Sequence, residues 1–249
     1  MKAPVALSDA ETAFVRGLVL YKDDDILVLN KPSGLSSQGG RIAVHTLDEL
    51  LGAFAKSSGV RPRLVHRLDR DTSGVILTAR DAPGAAFLGK AMMARRFRKT
   101  YLAVVGAGAP DPREGLIEAP LRRVDQGREA YVRMCEADHP DAQAASTRYR
   151  TLVANEVAAL IELSPRTGRM HQLRVHLAGI GRPIAGDPRY GGALVLAGTP
   201  VPRLMLHAAA LAFPHPAGGE KRIEASIPVD MAALLRSVNL SIPERWSES

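Results

Sequence analysis

The sequence predicts an α+β fold, with one domain over residues 18–249 built around a mixed, mostly antiparallel β-sheet with flanking helices. Apolar runs of strand length outnumber the segments with helical periodicity, and the two kinds do not alternate as they would around a parallel sheet. No stretch has the composition of a linker, so we predict a single domain. Residues 1–17 are predicted to be a short, weakly structured lead-in.

The first predicted elements are a β-hairpin and a short helix. Residues 18–29 contain two apolar runs separated by four polar residues, which is the pattern of two antiparallel strands joined by a turn. Pro32 ends the second strand because it has no N–H to donate to a neighbouring strand. Thr46 and Glu49 have the spacing of a capping box, which predicts that a helix begins there.

Later segments predict three more helices and a series of strands. A helix is predicted from about residue 82 to residue 97, where it ends in a cationic run. Another is predicted over residues 170–180, since Gly181 and Pro183 are helix stop signals, and a last one over residues 231–238. The runs with strand character lie at residues 101–105, 116–119, 131–134, 146–153, 157–163, 204–213 and 222–227.

The composition of the chain indicates which class of partner the protein binds and where in the cell we expect it. The chain carries 33 Lys and Arg against 26 Asp and Glu, a formal net charge of +7, and this excess favours a polyanion such as nucleic acid. The single cysteine, Cys135, excludes an intrachain disulfide and a cysteine-based metal site. No apolar stretch is long enough to span a bilayer, and residues 1–13 lack a signal-peptide core, so we predict a cytoplasmic protein.

Residues 66–74, His-Arg-Leu-Asp-Arg-Asp-Thr-Ser-Gly, are the most informative stretch of the chain. They place the carboxylate of Asp69 two residues after the guanidinium of Arg67, just ahead of an apolar run that predicts a buried strand. In extended backbone these two side chains project to the same side. Because the neighbouring positive charges favour its charged form, the carboxylate of Asp69 can act as a nucleophile or a base. The alternative is a turn aspartate in an ion pair.

Several segments resemble one known family, the RluA-type pseudouridine synthases. Residues 66–74 are similar to its motif H-R-L-D-x-x-T-S-G at all seven specified positions. Residues 24–34, D-D-I-L-V-L-N-K-P-S-G, resemble its opening segment, and Lys99-Thr100-Tyr101 matches K-x-Y. Residues 165–176 are similar to P-x-T-G-R-x-H-Q-(I/L)-R-x-H, and residues 181–191 to G-x-P-(I)-x-G-D-x-x-Y-G. The likeness covers nearly the whole chain.

The resemblance implies an enzyme that isomerises specific uridines in structured RNA and has the pseudouridine synthase fold. Members of the family break the bond between the uracil nitrogen and the ribose, rotate the base, and rejoin it through carbon. Asp69 is then the catalytic residue, and neither a cofactor nor a metal is implied. Three routes stay open: attack on the anomeric carbon, addition to carbon 6 of the ring, and elimination through a glycal.

The resemblance also implies roles for three other residues. Arg174 matches the arginine that pairs with the catalytic carboxylate and would orient Asp69 and keep it charged. Tyr101 matches the tyrosine that lines the uracil site, where its ring would stack on the base. An ordinary phenol has a pKa of about 10, so we favour stacking over proton transfer. Arg67 is expected to fill the space left by the extruded base, with a purely electrostatic role as the alternative.

Further residues are predicted to contact RNA. The densest cationic run, residues 95–99, leads directly to Tyr101, which favours phosphate contacts over a merely solvated face. From this run and from the motif over residues 165–176, the predicted RNA-binding residues, besides Arg67, are Arg95, Arg98, Lys99, Arg169 and Leu173.

The histidines do not predict a metal site. His171 and His176 are five residues apart, so on a helix they diverge rather than share a face. His66 and His207 lie in other segments with no carboxylate cluster beside them. We therefore predict structural histidines and no bound metal.

Two other functions explain less of the sequence. Residues 71–74, Asp-Thr-Ser-Gly, superficially resemble the loop of aspartic proteases, but they contain an extra residue and have no second copy to supply the paired carboxylate. An RNA-binding module without catalysis would fit the charge but would leave Asp69, Tyr101 and Arg174 without a role. We therefore predict a monomeric pseudouridine synthase, acting on large-subunit rRNA, with tRNA as the alternative.

Overall fold

The computed structural model describes residues 6–39, 45–126 and 129–246. The helices are α1 (Asp9–Gly17), α2 (Leu47–Leu50), α3 (Ala82–Met93), α4 (Gln172–Gly179) and α5 (Val229–Ser237), with single 3₁₀ turns at Leu51–Phe54 and Glu244–Trp246. The strands are β1 (Val19–Lys22), β2 (Ile26–Lys31), β3 (Arg63–Leu64), β4 (Ser73–Ala79), β5 (Arg98–Gly106), β6 (Glu114–Ile117), β7 (Leu121–Gln126), β8 (Glu129–Met134), β9 (Thr147–Ala154), β10 (Ala158–Pro165), β11 (Val195–Leu196), β12 (Thr199–Pro200), β13 (Leu206–Pro214) and β14 (Glu220–Glu224). This composition confirms the predicted α+β class with a mixed, mostly antiparallel sheet.

The chain divides into two compact units. The first contains Met1–Arg98 and Ala208–Ala225, and the second contains Lys99–His207 and Ser226–Ser249. The prediction of one domain over residues 18–249 stays a prediction, because a division by contacts does not say whether either unit folds alone.

The first unit is built on a sheet with strand order β1-β2-β4-β13, with β14 beside β13 and β3 beside β4. The predicted hairpin is confirmed, since β1 and β2 pair antiparallel and β2 ends directly before Pro32. The predicted capping box is also present, with Thr46 and Glu49 each binding the other's backbone N–H. Burial of each large apolar side chain contributes about 1.5–3 kcal/mol. The largest buried side chains of this core include Ile26, Val28, Val75, Leu77, Leu88, Leu211 and Phe213.

The second unit contains an antiparallel sheet with strand order β5-β10-β9-β6, and β7 and β8 form a separate hairpin. The hairpin packs on α4, where Leu121 and Val132 meet Val175. Every residue from Gln172 to Leu177 of α4 is buried, including three polar ones. Polar groups on such an enclosed helix need partners within the protein, and these partners form part of the candidate site.

The prediction of a weakly structured lead-in is wrong for residues 9–17, which form α1. Ser8 and Glu11 make a reciprocal capping box at its start, and Val15 is buried. The spacing Ser-x-x-Glu at residues 8–11 is therefore a helix signal, of the same kind as the one at Thr46. Residues 1–5 of the predicted lead-in lie outside the described residues.

The predicted helix over residues 82–97 is too long. Helix α3 ends at Met93, Arg95 has a left-handed backbone with φ of +55°, and β5 begins at Arg98. The cationic run therefore forms a turn and a strand start rather than a helix end. The reversal after Met93 redirects the chain into β5, a tertiary demand that outweighs local helical propensity.

Candidate active site

Asp69 lies in the irregular segment between β3 and β4 of the first unit. Its backbone carbonyl accepts a hydrogen bond from the N–H of Thr72 at 3.2 Å, which closes a turn before the strand. The Asp69 side chain is half-buried, whereas Arg67 is exposed. The buried strand predicted after this stretch is confirmed, because all seven residues of β4 are buried.

Gly74 determines where this loop can enter the sheet. Its φ is +115°, and a Cβ at this position would lie 2.2 Å from the backbone oxygen of Ala208. Only glycine combines that backbone conformation with so close an approach to the neighbouring strand. The last residue of the Thr-Ser-Gly sequence therefore sets the path of the chain five positions after Asp69.

Arg174 is held in the second unit by a buried ion pair. Its Nε and Nη2 donate to Oδ2 and Oδ1 of Asp187, both at 2.7 Å. Arg174 is 8% exposed and Asp187 is fully buried. The same carboxylate accepts the N–H groups of Arg189 and Tyr190 at 3.0 and 3.3 Å. Such a bidentate pair fixes the plane of the guanidinium.

An aromatic residue completes the surroundings of Arg174. The guanidinium carbon lies 5.0 Å from the centre of the Tyr190 ring, within cation–π range. The Tyr190 hydroxyl accepts the N–H of Val132 at 3.1 Å and lies 2.8 Å from Nδ1 of His171. Burial raises the pKa of Tyr190, so its hydroxyl keeps its proton, and the tautomer of the His171 imidazole sets which of the two groups donates this hydrogen bond. His171 has a left-handed backbone, with φ of +53°, immediately before α4.

Tyr101 belongs to β5 of the second unit, opposite Leu163 of β10, and is half-buried. The predicted strand around it is confirmed. A tyrosine ring standing on a sheet flanked by buried apolar residues has little freedom to change its position. The stacking role implied by the resemblance stays a prediction.

The predicted RNA-binding residues differ widely in their surroundings. Arg95 is exposed, and Arg98 pairs with Glu220 at the surface of the first unit. Lys99 is half-buried, and this burial lowers its pKa from the ordinary value. Arg169 is exposed and donates through Nε to the carbonyl of Ala144 at 3.2 Å.

Leu173 differs from these cations because it is only 7% exposed within α4. An apolar side chain in this position packs inside the protein, so the structure gives it a clear structural role. The predicted RNA contacts of Leu173 and of the cations stay predictions.

Two residues of this site were not singled out from the sequence, although their signal was present. Asp187 and Tyr190 both lie in the motif over residues 181–191 that carries part of the family resemblance. Gly186, directly before Asp187, has φ of +74°, and a Cβ there would lie 1.8 Å from the oxygen of Arg203. This glycine lets the backbone turn closely enough to bury the carboxylate of Asp187.

The histidines have well-defined hydrogen bonds. Nδ1 of His176 accepts from the Thr147 hydroxyl at 2.9 Å, because a neutral imidazole whose Nε2 faces a carbonyl carries its single proton on Nε2. Nε2 of His176 donates to the carbonyl of Ala119 at 3.0 Å. In the first unit, Nε2 of His66 accepts the N–H of Leu77 at 3.0 Å. These contacts fit the structural roles predicted for them.

Among the described residues, Asp23, Asp25 and His215 form a group that could hold a metal ion, with ligand atoms within 4.8 Å of one another. Nδ1 of His215 accepts the N–H of Ala217 at 3.2 Å, so Nε2 carries the proton and donates to Asp23 at 3.0 Å. A protonated nitrogen has no lone pair for a metal. The donor set therefore favours a hydrogen-bonded turn, and the prediction of no metal stays a prediction.

Comparisons with known proteins identify a shared family. Residues 25–179, more than half of the chain, match the model of the family described as RNA pseudouridylate synthase. The chain is 41% identical over 227 residues to Ribosomal large subunit pseudouridine synthase C of Escherichia coli strain K12, covering 88% of this chain and 69% of that protein. It is 40% identical over 204 residues to RNA pseudouridine synthase 4, mitochondrial, of Arabidopsis thaliana, covering 74% of this chain and 43% of that protein.

Solved structures agree with this result. Human RNA Pseudouridylate Synthase Domain Containing 4 matches with a TM-score of 0.78 and 27% identity, covering 94% of this chain and 99% of that one. Human RNA Pseudouridylate Synthase Domain Containing 1 matches with a TM-score of 0.65 and 26% identity, covering 90% and 94%. Within the described parts of the chain, no helix combines the length and apolar character needed to cross a membrane.

Proposed function

Since this chain belongs to the RNA pseudouridylate synthase family, we propose that it modifies uridines of large-subunit ribosomal RNA and that Asp69 carries the reaction. As a member it is a pseudouridine synthase, an isomerase. The observation that supports Asp69 is its place in residues 66–74, where all seven specified positions agree with the family motif. The choice of rRNA is supported by the names of relatives that are 41% identical.

The reaction conserves every atom of the uridine. The bond between the ribose and the ring nitrogen breaks, a bond between the ribose and carbon 5 forms, that carbon loses its proton and the nitrogen gains one. The proposed task of Asp69 is to act as a nucleophile or base while the base is detached, on one of the three routes named above. A carboxylate suits this task because its oxygens can form a bond to carbon or accept a proton, and because it is itself a competent leaving group.

The proposed roles of Arg174 and Tyr101 follow the resemblance. Because Asp187 already fixes the plane of the Arg174 guanidinium, this group loses little further conformational entropy when it binds another carboxylate. This favours a precise contact. Tyr101 would hold the uracil ring by stacking, which tolerates rotation of the base about an axis normal to its plane. Arg67, exposed beside Asp69, would occupy the space that an extruded base leaves.

The test is formation of pseudouridine in an unmodified transcript of large-subunit rRNA, with an unmodified tRNA mixture assayed in parallel. We expect purified protein to modify defined uridines of the rRNA, and Asp69→Asn to lower kcat by at least 10⁴-fold while retaining most of the RNA affinity. Modification confined to tRNA would contradict the proposed substrate. Turnover by Asp69→Asn near the wild-type rate would contradict the proposed catalytic residue. Action as a monomer and a cytoplasmic location stay predictions.

A further inference from the structure

We propose that Ser37 is a positioning residue for Asp69, and that residues 31–37 act as a clamp which fixes the backbone on both sides of the catalytic carboxylate. This inference rests on the proposed role of Asp69. The clamp and the loop that it holds, residues 68–71, both belong to the first unit. No sequence motif named above includes Ser37.

Ser37 holds the residue directly before Asp69 through both of its backbone groups. Its hydroxyl donates to the carbonyl of Leu68 at 2.7 Å and accepts the N–H of Leu68 at 3.1 Å. Both residues are buried, with Ser37 only 3% exposed. The two peptide groups that flank the Cα of Leu68 therefore cannot rotate without breaking hydrogen bonds that are shielded from solvent.

Lys31 and Gly34 hold the residue directly after Asp69. The carbonyl of Arg70 accepts from Nζ of Lys31 and from the N–H of Gly34, both at 2.9 Å. Lys31 is fully buried, and its Nζ also donates to the carbonyls of Pro32 and Leu35 at 2.9 and 2.7 Å. The ammonium therefore binds the loop through Arg70 and also links two residues within the clamp. Its charge is compensated by the three carbonyl dipoles.

Two exposed hydrogen bonds also join the clamp to the loop. Nε of Arg70 donates to the carbonyl of Gly34 at 3.1 Å, and the hydroxyl of Ser33 donates to the carbonyl of Asp71 at 2.8 Å. The clamp thus contacts the loop at residues 68, 70 and 71. Backbone held at 68 and 70 fixes the direction in which the side chain of residue 69 leaves the chain.

Accurate placement is what a nucleophile or base of this kind needs. A displacement of about 1 Å at a reacting group can lower a rate by about 10²-fold even when binding is unaffected. The two side chains at the centre of the clamp, Ser37 and Lys31, are buried and hold the loop from inside the unit. A positioning role therefore predicts a loss of kcat with little change of KM, whereas a general loss of stability does not.

The test compares Ser37→Ala with a matched control, Thr78→Val. Thr78 is also a buried hydroxyl of the first unit, and it donates to the carbonyl of Leu27 at 2.8 Å within the sheet. Both variants lose one buried hydroxyl donor, but only the first loses a contact to the Asp69 loop. They are assayed on the unmodified rRNA transcript at a temperature where thermal melts show both to be folded.

We expect Ser37→Ala to lower kcat by at least 10-fold with KM within 2-fold of wild type, and Thr78→Val to keep kcat within 2-fold. An unchanged kcat for Ser37→Ala, a loss expressed only in KM, or an equal loss of kcat in Thr78→Val would each overturn the inference. Asp69→Asn is assayed beside them. If it stays active the proposed function of Asp69 fails, whereas an inactive Asp69→Asn with a fully active Ser37→Ala contradicts the clamp alone.

Discussion

The loop that carries Asp69 and the helix that carries Arg174 hold their charged side chains in different ways. Asp69 is placed through its backbone, by groups of residues 31–37 that bind Leu68 and Arg70, and its carboxylate is half-buried. Arg174 is placed through its own guanidinium, which is almost fully buried and bound at two nitrogens by Asp187. The position of Asp69 thus depends on hydrogen bonds to the backbone, whereas the position of Arg174 depends on an ion pair of its side chain.

The difference follows from the demands on each group. A carboxylate that forms or accepts a bond must change its contacts during the reaction, so its position has to come from the chain that bears it. A guanidinium whose task is orientation and charge can keep its contacts throughout, and a bidentate pair fixes its direction. Burial makes that pair expensive to break, because a lone charge would be left away from water.

The largest effect on stability is expected from Asp187→Asn. This change keeps the shape of the side chain and removes the buried negative charge that binds the Arg174 guanidinium at two nitrogens, so we expect the unfolding free energy to fall by about 3–5 kcal/mol. Urea denaturation measures it. The control is Asp230→Asn, which breaks a pair of similar geometry with Arg203 whose carboxylate is 40% exposed. There the expected loss is about 1 kcal/mol. Equal losses would show that burial is not what distinguishes the Arg174 pair.

An intermediate effect is expected from acid, through His176. Burial lowers the pKa of this imidazole below its ordinary value of 6.5, and its Nδ1 already accepts the Thr147 hydroxyl. The unfolded chain takes up a proton near pH 6.5, whereas the folded protein does so only at lower pH. Protons therefore favour the unfolded chain, and the stabilisation present above pH 6.5 is lost as the pH falls below it.

Thermal melts between pH 7.5 and 5 test this expectation on wild type and on His176→Gln. The variant cannot take up a proton there, so we expect its melting temperature to depend less on pH. The difference corresponds to about 1.4 kcal/mol of unfolding free energy for each unit by which the histidine pKa is lowered. Identical pH dependence of the melting temperature in the two proteins would show that His176 does not contribute to the loss of stability in acid.

The smallest effect on stability is expected from Arg98→Ala. Its pair with Glu220 is exposed on both sides, so we expect a change of less than about 1 kcal/mol in unfolding free energy. If Arg98 contacts phosphate, its loss should lower the slope of log affinity against log salt by about one. Glu220→Ala breaks the same pair and should leave that slope unchanged or steeper. Equal slopes for Arg98→Ala and wild type would contradict the predicted RNA contact.

Local signals made several elements predictable. The hairpin at residues 18–29 and the capping box at Thr46 are written in short stretches of sequence, and both are present. The same kind of signal existed at Ser8 and was missed, so α1 was not expected. The end of α3 at Met93 was not predictable in this way, because residues 94–97 have no stop signal and the reversal is imposed by the entry into β5.

The family motifs predicted more residues of the candidate site than the composition did. They placed Asp69, Tyr101 and Arg174 on a loop, a strand and a helix, and each lies on the expected element. They also contained Asp187, although no spacing rule says that a carboxylate thirteen residues after an arginine will bind it. That pairing depends on the turn at Gly186, where the backbone of Arg203 approaches to a distance that excludes any side chain.

By itself the sequence determined the α+β class, the basic surface charge and the chemical identity of the candidate residues, because these depend on local pattern and on residue type. Only the tertiary structure decided which groups hold them. Ser37 is 31 residues from Leu68, and Lys31 is 39 residues from Arg70, yet each pair is joined by a hydrogen bond. Contacts between segments so far apart arise from the packing of the whole unit, which no local pattern of residues encodes.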